Sequence, residues 1–263
     1  MRKVYLILLL AMLACIGCEW QLKPADDKSA ADALVIERYD RIEAMYLTTG
    51  DRAALQQMNT VYPIQTRTLI EDVLRLGKVN DPGINAKFLH FYQDSILQML
   101  VNDVEKQYDN TDDLAKELSA AFARLRRLLP DIVVPQVYTQ IGSFDQSIIV
   151  GHQTLGISLD KYLGADYPFY IENYYPAQRR QMVRSMIVPD CIGFYVLSLY
   201  PLPNHSDSLP TDRQTHMGKI QWIVNNAMGK RVFRNFYVAA VDRYMKQHRG
   251  TTADQLLRTP VLQ

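Results

Sequence analysis

The apolar period of this chain changes twice, and that limits the architectures open to it. Up to Pro130 apolar residues recur every three to four positions. Leu114, Leu118, Phe122, Leu125 and Leu129 form the clearest stripe, the spacing of a core-facing helix. From residue 132 the period drops to two. Residues 132–141, 146–150 and 155–159 are rich in β-branched side chains and are joined at Gly142-Ser143-Phe144-Asp145 and around Gly151 and His152. This predicts a small, hairpin-linked antiparallel sheet of three strands. After Gly164 the helical spacing returns. A helical first half, a small sheet in the middle and a helical C-terminal part make an α+β fold.

The helical parts divide at turn residues. Residues 33–47 carry Leu34, Val35, Tyr39, Ile42, Met45 and Tyr46 at helical spacing, and Thr49-Gly50-Asp51 breaks the run. A helix follows over 64–76. Asn80-Asp81-Pro82-Gly83 marks a turn, and 86–108 reads as one long helix. Residues 167–175 hold Tyr167, Phe169, Tyr170, Tyr174 and Tyr175. They read as an aromatic loop, either an exposed contact surface or a plug at the sheet edge. Residues 177–186 are helical and basic. Pro189 suits the first turn of a helix running to residue 199. A proline-rich loop over 201–210 precedes two last helices, over 211–226 and 233–246.

The N-terminus sets the expected compartment. Arg2 and Lys3 precede an apolar run over residues 4–14, too short for the ~20 residues of a spanning helix. The run ends in Ala14, Cys15, Ile16, Gly17 and Cys18, and polar residues follow. This is the layout of a lipoprotein signal over 1–17, with Cys18 as the acylated residue and Cys15 as the alternative. Residues 18–32 read as a tether and 33–263 as a single domain. The expected location is the cell envelope, with an acyl anchor of the palmitate type in the inner or outer membrane and the domain in the periplasm. Membrane lipid is then one partner. The third cysteine, Cys191, has no intrachain partner once Cys15 is removed. Stability therefore falls to the core, for which the 48% apolar composition is ample.

Charge argues against a nucleic-acid partner. The chain has 29 basic and 28 acidic residues, whereas such binders carry a basic excess. Sequence motifs for catalysis are missing too: no nucleophile elbow, P-loop or dinucleotide fingerprint occurs. The five histidines, His90, His152, His205, His216 and His248, show no metal-ligand spacing. Cys191 follows Asp190, whose charge would disfavour a thiolate, so it reads as a structural thiol. No cofactor is expected.

One stretch resembles a known family. Thr154-Leu155-Gly156-Ile157-Ser158-Leu159-Asp160-Lys161-Tyr162-Leu163-Gly164-Ala165-Asp166-Tyr167-Pro168-Phe169-Tyr170 and then Ile187-Val188-Pro189-Asp190 are similar to the gliding-motility lipoprotein GldB family of the Bacteroidetes. That family reads LGIxLDxYLGxDxxFY and IVPD at these places. The resemblance covers residues 35–200 and implies a degenerate zincin-like fold. In the related peptidases a His-Glu-x-x-His helix and a later Glu supply zinc ligands. Here the corresponding segments are Val188-Pro189-Asp190-Cys191-Ile192 and Met217-Gly218-Lys219. The resemblance therefore implies the fold without the activity, and a non-enzymatic envelope component that works by protein contact. Asp160, Tyr162, Tyr170, Asp190 and Lys219 are the candidate cleft and partner-contact residues. Two further readings remain: a residual hydrolase using Asp190 or Asp160, and a glycan- or peptide-binding module using the aromatic loop.

Overall fold

A computed structural model describes residues 34–202 and 210–259. The signal segment, Cys15, Cys18, the tether, His205 and most of the proline-rich loop lie outside the described residues. The chain divides into Met1–Asp32 and a compact unit over Ala33–Gln263. No helix among the described residues is long and apolar enough to cross a membrane.

The compact unit opens with a short strand, β1 (Ile36–Glu37), where the apolar spacing predicts helix. The helix begins only at α1 (Tyr39–Thr49), after Arg38 takes a non-helical conformation. Gly50 closes α1 with a left-handed φ of 68°, and the Asp51 carboxylate caps α2 (Arg52–Thr60) by accepting from the Ala53 amide at 2.8 Å. Next come α3 (Pro63–Arg67), which runs on as a π-helical stretch over Thr68–Val73, and α4 (Ile84–Phe91), α5 (Ser95–Gln107) and α6 (Asp112–Leu128). The expected single helix over 86–108 is two. Asp94 interrupts it, because its carboxylate accepts from the Ile96 and Leu97 amides and starts α5.

The small sheet lies where the sequence places it, but its strand pairing differs. It comprises β1, β2 (Gln136–Gln140), β3 (Ile148–Val150) and β4 (Thr154–Ser158), in the order β1-β2-β4-β3. β1 runs parallel to β2, with Ile36 opposite Val137, and β2 runs parallel to β4, with Thr139 opposite Ile157. Only β3 and β4 form the antiparallel hairpin that was expected of the whole sheet. The physical reason is visible in β4, all five of whose residues are buried. A strand covered on both faces belongs in the centre, so it inserts beside β2 and pushes β3 to the edge.

The aromatic stretch is also helical. Pro168 starts α7 (Pro168–Asn173), and α8 (Pro176–Arg179) follows. The chain then forms an isolated antiparallel bridge between Val183 and Leu163 rather than a continuous helix to 186. After it come α9 (Ile187–Leu199), α10 (Pro210–Met228), α11 (Phe236–Gln247) and α12 (Ala253–Arg258). The last of these is absent from the apolar pattern; Thr252 and Gln255 cap it reciprocally. α1 packs on β2, α9 packs on β3 and β4, and α10 packs on α6, α9 and α11. Gly218 permits the α10–α11 approach: a Cβ there would lie 2.6 Å from that of Tyr237.

Candidate functional site

The residues that carry the family resemblance converge on the ends of β2 and β4. Asp160, just past β4, is fully buried and turns back toward the connection after β2. Its two oxygens accept from the Gly142 and Phe144 amides, each at 2.6 Å. Ser143 and Phe144 both have left-handed φ, 50° and 65°, a conformation that costs roughly 1–2 kcal/mol per residue. The carboxylate holds them there. Burial pushes its pKa up to about 6, and the two amide hydrogen bonds pull against that rise.

Around this tie the aromatic residues form a plug. Phe169 stacks on Phe144 with ring centres 4.0 Å apart, and Tyr170 is buried with its hydroxyl donating to the Asp160 carbonyl. Tyr175 alone of the aromatic stretch stands well out, at 79% exposure. Gly156 is explained by the same crowding, since a Cβ there would meet the Tyr138 ring at 2.6 Å.

Two acids that the apolar pattern passes over complete the arrangement. Thr139 donates to Asp40, which is ion-paired to Arg38 at 2.7 Å. Glu43 accepts from the Ile141 amide at 2.9 Å, and its other oxygen has no partner. Burial first, then the charges of Asp160 and Asp40, push the Glu43 carboxyl well above the usual range. The signal was present in the sequence: Tyr39, Glu43 and Leu47 recur at four-residue steps, so Glu43 sits on the inward stripe of α1.

Asp190 is different. The Tyr162 hydroxyl donates to one of its oxygens at 2.8 Å, and no second partner is made among the described residues. It lies at the floor of a groove of about 660 Å³ between α9 and α10, walled by Met186, Phe194, Leu197, Met217 and Phe233, with Arg234 at the rim. Phe194 and Met217 are 43% and 40% exposed. Burial pushes the Asp190 carboxyl up to about 6, and the tyrosine bond lowers it. Cys191 next to it is fully buried, and burial with the Asp190 charge pushes its thiol up, as a structural thiol requires.

Of the five expected contact residues, only Asp190 reaches this groove. Asp160, Tyr162, Tyr170 and Lys219 are buried and present no side chain to a partner. Burial is the price of being tied: Asp160 serves two amides, Tyr170 serves the Asp160 carbonyl, and Tyr162 serves Asp190. Lys219 turns away from Asp190 and donates to the Thr259 carbonyl. Met217, two residues earlier, does line the groove, as Asp190 does. Both segments that the resemblance sets beside peptidase ligands therefore contribute to the groove lining. Their donors do not fit zinc, which takes three or four imidazole, thiolate or carboxylate ligands. The groove offers one carboxylate, Asp190, and the thioethers of Met186 and Met217. Among the described residues no three of His, Cys, Asp and Glu gather within reach of a common ion. His90, His216 and His248 each pair with a nearby oxygen.

No curated protein and no solved structure matches this chain. A family model does: that described as gliding motility protein GldB matches residues 21–232, a span that takes in the Asp160 tie, the aromatic plug and the two helices, α9 and α10, that flank the groove. The chain belongs to the GldB lipoprotein family of gliding-motility proteins.

Proposed function

We propose that this protein is a lipid-anchored envelope component that acts by contact, holding a partner polypeptide in the α9–α10 groove. The observation that carries the reading is Asp190. A carboxylate with one oxygen engaged, on the lining of a largely apolar groove, lacks a charged complement among the described residues. A segment with apolar side chains flanking a lysine or arginine would supply it. Family membership supports the envelope role, and the lipoprotein layout of residues 1–18 supports the anchor and a periplasmic position for the domain. The donor set of the groove supports a peptidase-like pocket turned to binding.

Co-purification from detergent-solubilised membranes tests it. Asp190→Asn and Met217→Glu should each lower recovery of a stoichiometric partner at least tenfold, while Glu105→Gln, on α5 away from the groove, leaves it unchanged. Recovery of the unmutated chain as a lone monomer sinks the proposal.

A hydrolase is the second reading, favoured by the Asp190 carboxyl, whose pKa near 6 suits a general base. The groove lining adds no second acid, histidine or nucleophile among the described residues. Turnover of a peptide library that disappears in Asp190→Asn would establish it.

A further inference from the structure

The turn between α10 and α11 carries a second surface, independent of Asp190. Its sequence is Gly229-Lys230-Arg231-Val232-Phe233-Arg234-Asn235-Phe236, in which Lys230, Arg231 and Arg234 flank the apolar pair Val232-Phe233. The turn is held open. The Asn225 amide oxygen accepts from the Val232 and Phe233 amides at 2.8 and 2.9 Å, and its NH2 group donates to the Phe233 carbonyl at 2.9 Å. Asn235 caps α11 by accepting from the Val238 amide and donates to Gln221 at 2.6 Å. These bonds fix the backbone and leave Phe236 71% exposed. Beside it opens a pocket of about 700 Å³ lined by Trp222, Phe233, Phe236, Arg231, Arg234 and Asp242.

The charges are unbalanced. Lys230 pairs with Glu117, and Asp242 is occupied by Lys246 at 2.7 Å and by the Trp222 indole. Arg231 and Arg234 are exposed and make no ion pair among the described residues, although the Arg231 charge is felt at Asp242. Arg243 lies two helical turns past Phe236, so the period places it on the same side of α11, and it too is exposed, without an ion pair among the described residues. Three exposed guanidinium groups, of which Arg231 shares the field of Asp242, thus lie on the side of the molecule that carries an exposed phenylalanine and an indole. Against a polypeptide groove this chemistry is poor, since it offers repulsion to the cation that Asp190 would take. It complements an anionic bilayer surface: the rings enter the headgroup boundary and the arginines meet phosphates.

We propose that the α10–α11 turn is a membrane-contact surface that docks on anionic phospholipid. Contact there would lay the domain against the bilayer, with the shared wall Phe233–Asn235 setting the α9–α10 groove close to the lipid surface.

The test uses the full chain in vesicles and the fluorescence of Trp222, with Trp20→Phe removing the other indole. Lipids brominated on the acyl chain quench an indole that reaches the bilayer. Quenching is expected on phosphatidylglycerol vesicles, weakly on neutral phosphatidylcholine, and is expected to fall as salt rises. Replacing Arg231 and Arg234 by glutamine should weaken the contact about 30-fold at about 1 kcal/mol per cation. Equal quenching on neutral vesicles, no quenching at all, or no response to either salt or the substitutions would overturn the proposal. So would loss of quenching to millimolar inorganic phosphate at constant ionic strength, which would mean a free-anion site. The salt response of the unsubstituted arginines keeps the test decisive where the double variant fails to fold.

Discussion

Asp160 sits behind the ends of the two parallel strands and Asp190 at the floor of the α9–α10 groove, and burial pushes each carboxyl up to about 6. They differ in how their oxygens are used. Asp160 spends both on backbone amides of a strained turn, whereas Asp190 has one tyrosine and an open side. A raised pKa alone therefore does not separate a structural acid from a ligand-binding one. The count of satisfied lone pairs does, because a carboxylate with nothing left to accept has nothing to offer a partner.

The largest expected difference between the two regions is in stability. Asp160→Asn turns an NH2 group against a buried amide donor, and should cost about 3 kcal/mol in a denaturant titration. Asp190→Asn can still accept from Tyr162 and removes a buried charge, so it should stay within about 1 kcal/mol, on the stabilising side at pH 7. Equal losses would erase the distinction.

A pair of glycines extends the contrast to packing. Gly156→Ala drives a methyl into the Tyr138 ring and should cost about 2 kcal/mol by thermal or denaturant unfolding. Gly193→Ala, inside α9 on the groove, meets Val224 at 3.6 Å, an ordinary contact. It should gain about 0.7 kcal/mol from helix propensity. A loss at Gly193 would mean that the groove wall is packed as tightly as the sheet.

Titration refines the picture further. A carboxyl raised in the folded state holds its proton where the unfolded chain, near pH 4, has released it. Its contribution is complete below pH 4 and is lost as pH rises through about 6, so unfolding free energy should fall across that window. Asp190→Asn should make the fall shallower by about 1 kcal/mol per pH unit. An unchanged slope would place Asp190 in water.

The smallest effect belongs to Glu43. Its carboxyl is raised well above the usual range by burial, which favours the uncharged form, and Glu43→Gln should change stability by less than about 0.5 kcal/mol. A loss above about 2 kcal/mol would show a charged Glu43.

Much of this was legible in the residues themselves. The Leu114–Leu129 stripe, the middle sheet, the proline at the head of α9 and the structural character of Cys191 all follow from spacing and local chemistry. The family run pointed at the correct neighbourhood but mixed two kinds of residue. Asp160 and Tyr170 hold the turn after β2 and Tyr162 serves Asp190, and of these residues only Asp190 lines the groove. The α10–α11 turn was passed over because cations flanking an apolar pair read as an ordinary solvated face until Asn225 is seen to hold them apart.

The helix–sheet–helix order along the chain and the inward stripe of a helix such as α6 needed no coordinates, since periodicity records which side meets water. Strand direction, the central place of β4 and the fate of each buried acid did need them. Those depend on contacts between residues far apart in the chain, such as Glu43 with Ile141 or Tyr162 with Asp190. A local pattern carries no record of which distant donor arrives to satisfy a carboxylate.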